Sequence, residues 1–275
     1  VTEESAIPDP ALSPKIDTTV PHSARMWNYW LGGKDHYPVD RAAGDQFSEA
    51  FPDIVNIARL SRHLLARIVR HLAGEAGVRQ FLDVGTGLPT VDNTHDLAQR
   101  VAPDARVVYV DNDPLVLTHA RALLVGTPEG ATDYVQADLR EPEAILAAAA
   151  KTLDFDRPVA LMLMGIAGYL RNDEEPYAIV GRLVDALPSG SYLAMWDGVN
   201  VVTGDALEQA QENFNEGDGA PAPYTLRSRA EFSAFFDGLE QVEPGMVSIP
   251  LWRPDPDPFA SPAEVDALCC VARKP

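Results

Sequence analysis

The 275-residue chain predicts an α/β fold, a mostly parallel sheet of seven strands with helices on both faces and a helical cap at its N-terminus. Three observations carry that expectation. Short apolar runs alternate with helix-compatible stretches through the middle of the chain, the pattern of parallel strands joined by crossover helices. The first run ends in a glycine turn, Asp83-Val84-Gly85-Thr86-Gly87. Aspartates close the next two, Asp111 after Val107-Val108-Tyr109-Val110 and Asp138 after Tyr134-Val135-Gln136-Ala137.

From the N-terminus, residues 1–21 read as a disordered tail, because Pro8, Pro10, Pro14 and Pro21 interrupt a segment poor in apolar residues. A single domain is expected over 22–275, with a helical cap or lid at 22–75 and a Rossmann-like core at 76–275. Within the cap, Ile57, Leu60, Leu64, Leu65, Ile68, Val69 and Leu72 recur at helical spacing, so 54–72 is an amphipathic helix with one face for the sheet. Strands are expected near 80–84, 106–110, 132–136, 158–164 and 191–196, with helices near 90–101, 114–124, 141–150 and 173–187. Pro89 suits the first turn of a helix, where its missing N–H leaves no bond unmade. Two further helices near 206–215 and 228–236 and two β segments near 240–249 and 265–273 complete the chain, with a proline-rich loop at 250–262.

The three acids and the glycine turn describe a nucleoside pocket. Gly85 and Gly87 let the backbone take unusual dihedrals and let a ligand approach the N–H groups of the following helix. Asp111, one βαβ unit later, sits where a carboxylate accepts from both ribose hydroxyls. Asp138 is placed to accept from an adenine amino group and the Leu139 N–H to reach a ring nitrogen. A dinucleotide site wants glycine at the last place of G-x-G-x-x-G, which Thr90 occupies, so a nicotinamide-dependent oxidoreductase is the weakest reading. An acid two residues before the first glycine and another after the third strand suit S-adenosyl-L-methionine, which has no pyrophosphate.

Here the chain resembles the class I S-adenosylmethionine-dependent methyltransferases, and more narrowly a bacterial family of them. The narrower likeness rests on Ser23-Ala24-Arg25-Met26-Trp27-Asn28-Tyr29-Trp30-Leu31-Gly32-Gly33-Lys34-Asp35, on Gln80 to Thr90, on Tyr109-Val110-Asp111-Asn112-Asp113-Pro114 and on Trp252-Arg253-Pro254. The resemblance implies that Asp83, Gly85, Thr86 and Gly87 hold the methionine end, Asp111 and Asn112 the ribose and adenine, and Asp138 and Leu139 the adenine edge. It also implies a main chain at Met164 and Gly165 that faces the donor, and a last strand inserted antiparallel. Pro89 stands where the class often has a third glycine, and Met164-Gly165-Ile166-Ala167-Gly168-Tyr169 lacks a histidine expected near Gly168.

The aromatic stretch Arg25 to Asp40 is read as a lid over the cofactor, with Arg25 or Lys34 pairing with the donor carboxylate. Candidates for a general base are His36, Tyr37, Tyr169 and Asp197, the last just after the fifth strand. The net charge of −19 opposes binding to a phosphate backbone or an anionic membrane surface. The expected partner is therefore a small-molecule methyl acceptor. No signal-like or bilayer-length segment is seen, so a cytoplasmic location is the default expectation. The two cysteines, Cys269 and Cys270, are adjacent and offer no metal-ligand spacing, and no metal is expected. An S-adenosylmethionine-dependent methyltransferase acting on a small acceptor is the leading reading. The alternative is a non-catalytic S-adenosylmethionine-binding regulatory or assembly protein.

Overall fold

Alternate residues of the central strands face opposite sides of the sheet, and both sides are covered. In β1 (Gln80–Val84), Phe81 enters one apolar cluster while Leu82 and Val84 enter the other. Burial on both faces is why these strands read as continuous apolar runs rather than as alternating patterns. The computed structural model describes residues 16–123, 126–216, 223–256 and 262–275.

The sheet has the order β3-β2-β1-β4-β5-β8-β6, with the two-residue β7 also paired to β8. The parallel strands are β1, β2 (Arg106–Asp111), β3 (Ala131–Gln136), β4 (Ala160–Met164) and β5 (Tyr192–Gly198). β8 (Ala267–Arg273) lies antiparallel beside β5. After β1 the chain moves outward to β2 and β3, then returns to place β4 on the other side of β1. Connections therefore diverge above the carboxyl ends of β1 and β4, which opens a crevice there.

One face is covered by α1 (Ser23–Trp30), α2 (Pro38–Ala50), α3 (Ile54–Arg70), α4 (Thr94–Val101) and α8 (Asp205–Glu216). α3 buries Ile57, Leu64, Leu65, Ile68 and Val69 as its spacing requires, with Leu60 half-buried, and widens into a π turn at His71–Glu75 that carries buried Leu72. The other face carries α6 (Pro142–Ala149), α7 (Pro176–Asp185) and α9 (Arg229–Ser233), whose Ile145, Leu183 and Phe232 pack on Leu161, Leu163 and Met195. Remaining is α5 (Pro114–Leu123), between β2 and β3. Cys269 and Cys270 fall on opposite faces of β8, so neither reaches the other, and burial pushes both thiols up.

Several expected boundaries move. α4 starts at Thr94 rather than near 90, because Asn93 and Asp96 form a reciprocal capping box; Pro89 accordingly lies in the loop, not in a helical first turn. The β segment expected at 240–249 is two short pieces, β6 (Glu240–Gln241) and β7 (Val247–Ser248). Pro244 has no N–H to donate and Gly245 has φ +80°, so pairing lapses between them. The seventh place in the sheet is thus shared by two strands, which gives eight in all. Helix 173–187 shortens to a 3₁₀ turn at Asn172–Glu174 followed by α7, and helix 228–236 ends in a 3₁₀ turn from Ala234. Of the expected tail, residues 1–15 lie outside the described residues, whereas Ile16 packs beside Ala24, Leu115 and Val116.

Candidate functional site

The crevice above β1 and β4 holds a cavity of about 240 Å³. Its floor is Gly85, Thr86 and Gly87 after β1, Asp111 and Asn112 after β2, and Met164 and Gly165 after β4. Asp138, Leu139 and Arg140 form one side. α1 roofs it with Ser23, Ala24, Trp27 and Asn28.

Gly85 and Gly87 have φ +75° and +68°, left-handed values that side chains resist. A Cβ on Gly85 would stand 2.5 Å from the Ile166 side chain, whereas one on Gly87 meets nothing within 4 Å. The turn is tied to β2 twice: the Gly85 N–H donates to Val110 O (2.8 Å) and the Gly87 N–H to Asp111 Oδ2 (2.8 Å). Asp111 Oδ1 accepts from the Asp113 N–H (2.9 Å). Each Asp111 oxygen keeps a second lone pair, and burial pushes the carboxyl up against the pull of those two N–H groups. Asp138 differs. Burial raises it, but the Arg140 N–H, the Asn112 amide (3.0 Å) and the Arg140 guanidinium together hold it below the ordinary carboxylate range.

Asp83 and Arg25, both expected at the ligand, do not line the cavity. Asp83 turns beneath the glycine turn and accepts from Thr94 Oγ1 (2.6 Å); burial pushes it up to about 6, with Thr94 and Arg62 opposing. Arg25 is 4% exposed and sits between Asp40 (3.7 Å) and Asp113 (3.5 Å), while its Nη atoms donate to the carbonyls of Asp17 and Val20. The guanidinium stands at ion-pair distance from both carboxylates, Asp40 in α2 and Asp113 at the start of α5, and so ties α1 to both elements. Lys34 is exposed in the turn after α1 and does not reach the cavity wall. His36 lies edge-on to Tyr29, and Tyr37 caps α2 under the Arg25 guanidinium, so both belong to the packing of the cap. Tyr169 does line the cavity, its hydroxyl pushed up to about 12 by burial. Asp197 is buried one layer behind, bonded to the Tyr224 hydroxyl.

Arg62 escaped the sequence reading. It projects from α3 onto the glycine-turn side of the cavity and donates to Asp92 O (2.9 Å); burial lowers its pKa against the favourable charge of Asp83. In sequence it is one arginine among several on an amphipathic helix, and only the pairing of α3 with the crevice distinguishes it. Tyr224 escaped as well, since it follows an irregular proline-containing segment without periodicity.

A strand order that reverses at β1, a glycine turn over that switch point and an acid at the tip of β2 define a class I methyltransferase fold. The family described as S-adenosyl methyltransferase matches residues 9–275, and the chain belongs to that family. It is an S-adenosylmethionine-dependent methyltransferase. A Streptomyces avermitilis protein of the DUF574 family is 45% identical, with 95% of this chain and 100% of that one covered and a TM-score of 0.89. A candidate methyltransferase from Thermobifida fusca is 43% identical over 98% of this chain and 99% of its own, with a TM-score of 0.85. The mitomycin 7-O-methyltransferase MmcR, at 15% identity and a TM-score of 0.52 over 86% of this chain and 69% of that one, shares the fold. A search of the curated proteins gives no match.

The donor set fits the cofactor. Asp111 retains a lone pair on each oxygen for hydroxyl donors, Asp138 stands beside it with its oxygens engaged by Asn112 and Arg140, and the Arg62 guanidinium lines the same cavity. Among the described residues no helix is long and apolar enough to cross a membrane, and no group of three or more His, Cys, Asp or Glu side chains is arranged to hold a metal.

Proposed function

We propose that this methyltransferase acts on a small-molecule acceptor and holds its donor in the 240 Å³ cavity in a defined orientation. Asp111 accepts from the ribose hydroxyls. Asn112 lies beside the ribose and the adenine, while Asp138 and the Leu139 N–H take the adenine edge. The methionine end lies along Gly85, Thr86 and Gly87, and its carboxylate meets Arg62 rather than Arg25 or Lys34. Asp83 acts at one remove, through Thr94 and through its charge on Arg62. When bound, the cofactor supplies an electrophilic methyl group on a sulfonium. The residues around it align and desolvate the acceptor, which is most of what an in-line displacement needs.

The observation that carries the reading is the Asp111 carboxylate at the tip of β2, which lines the cavity and is fixed there by two backbone N–H groups. A small acceptor is supported by the α1 residues that line the cavity and by a charge of −19 that repels polyanions. Calorimetric titration with S-adenosylmethionine and with its demethylated product tests the orientation. Saturable heat from both is expected for the wild type, with Arg62→Met weakening both and Lys34→Met neither. Equal affinities in the wild type and Arg62→Met would remove the assignment of the carboxylate.

A further inference from the structure

We propose that a second, apolar cavity behind the cofactor pocket seats the methyl acceptor, and that it takes an aromatic or other apolar molecule bearing a hydroxyl or amine whose proton leaves through Tyr224 to Asp197. The proposal rests on the cofactor reading above and concerns the space that adjoins that pocket. The second cavity measures about 70 Å³ beside the 240 Å³ pocket. Ser23, Trp27, Tyr169 and Trp196 line both cavities, so the two adjoin at these side chains.

The walls define the ligand class. Trp30, Phe47, Ile54, Ile57, Leu207 and Phe214 supply apolar surface, and among the described residues neither lysine nor arginine lines it. Of the polar residues there, Asp266 is consumed by the N–H groups of Val201, Val202 and Thr203 and by the Thr203 hydroxyl. Gln211 donates to Asn215, and Ser23 and Tyr169 bond to each other where the two cavities adjoin. Tyr224 is different. Its hydroxyl donates to Asp197 Oδ1 (2.7 Å) and accepts from the Gly198 N–H (3.0 Å), which leaves one lone pair for an incoming O–H or N–H.

Asp197 is 4% exposed, and its Oδ2 has no hydrogen-bond partner among the described residues. Its other oxygen also accepts from the Gly168 N–H (3.3 Å). The charged and titratable groups facing it are Arg227, Tyr169 and Tyr224. Arg227 donates its Nη atoms to the carbonyls of Ala167 and Leu170, so it lends charge without bonding to the carboxylate. Burial pushes Asp197 up to about 6, opposed by Tyr224 and Arg227, which leaves it ionised at neutral pH yet more basic than an exposed carboxylate. Gly168 admits the whole arrangement: a Cβ there would fall 2.2 Å from Cζ of Tyr224. Where the sequence lacks an expected histidine, the fold inserts a tyrosine ring.

In the transfer, a lone pair of the acceptor heteroatom forms the new bond to carbon. The carbon–sulfur bond breaks with its electron pair going to sulfur, which becomes a neutral thioether. The acceptor's proton passes to Tyr224 Oη as Tyr224 gives its own to Asp197, so both residues end neutral. Tyr224 touches the acceptor; Asp197 works through it.

The probe is 4-nitrophenol, whose anion absorbs in the visible, titrated into protein saturated with the demethylated cofactor. Trp27, Trp30 and Trp196 line the cavity and report occupancy by fluorescence quenching. Saturable quenching is expected, with part of the bound probe carrying the phenolate spectrum at a pH where the free probe does not. Phe214→Trp and Leu226→Trp, which fill the cavity from α8 and from the segment after Tyr224, should each weaken the probe about tenfold and leave binding of the demethylated cofactor unchanged. Tyr224→Phe and Asp197→Asn should retain the probe within about threefold but lose the phenolate band. Cofactor binding without saturable quenching, or quenching that survives both filling variants, overturns the seat alone. A phenolate band that persists in Tyr224→Phe overturns the proton route. Absence of heat with the demethylated cofactor in the wild type removes the cofactor reading itself, and this proposal with it.

Discussion

Asp111 joins two duties in one carboxylate, since the same oxygens that accept from Gly87 and Asp113 border the ligand cavity. Truncating a charged hydrogen-bond partner costs on the order of 1.5–3 kcal/mol, so Asp111→Ala should weaken the donor by about 10- to 150-fold in calorimetry. Asp111→Asn keeps an acceptor for the Gly87 N–H while removing charge. If the two variants bind alike, the ribose contact dominates; if both match the wild type, the ribose assignment is wrong. Single residues were legible where a strand tip fixes them, as with Asp111, Asn112 and Asp138, because their position follows from strand period alone. Arg25 reads as a ligand in sequence and is a buried brace in the fold. Arg62 and Tyr224 are the converse, since nothing within a few residues of either marks which way it points.

At the scale of elements, the glycine turn and the roof helix decide whether a pocket exists. An alanine at a left-handed φ costs about 1–2 kcal/mol through its Cβ, so Gly87→Ala should lose roughly that much in urea unfolding. Gly85→Ala should lose more, because its Cβ also meets Ile166 Cγ1 at 2.5 Å and the branch point of that side chain, Cβ, at 2.8 Å. Equal losses would mean that Ile166 yields freely. The roof is held by a buried ion cluster: Arg25 between Asp40 and Asp113, with His22 3.2 Å from Asp113. Removing one partner of such a cluster costs about 3–5 kcal/mol by stranding buried carboxylates, which is the stability loss expected for Arg25→Met. Were Arg25 the donor's partner instead, affinity would fall with stability nearly intact. Elements themselves were legible where periodicity is strong, as in α3 and β1 to β5. The edge strand at 240–249 was not, since its pairing depends on where Pro244 and Gly245 fall against β8.

Over the whole molecule the net charge of −19 and the buried acids pull stability in one direction with pH. Asp83 illustrates the sign. Burial raises its folded pKa from 3.8 to about 6, so between those values the folded state keeps a proton that the unfolded chain has released. Stability therefore falls as pH rises through that window and is level above it, with a contribution on the order of 3 kcal/mol from this group alone. Mutual repulsion of exposed carboxylates acts in the same sense as they ionise, and the two contributions separate by salt. Surface repulsion is screened within about 10 Å at 0.1 M ionic strength, whereas the desolvation of a buried carboxyl is not. Urea midpoints followed from about pH 4 to pH 7 should fall in the wild type at low and at high salt. In Asp83→Asn, which keeps an acceptor for Thr94 Oγ1, the decline should be shallower by about 3 kcal/mol, and the remainder should flatten further in salt. Parallel curves for the two proteins would mean that Asp83 is solvated in the folded state, and its place beneath the glycine turn would have to be redrawn.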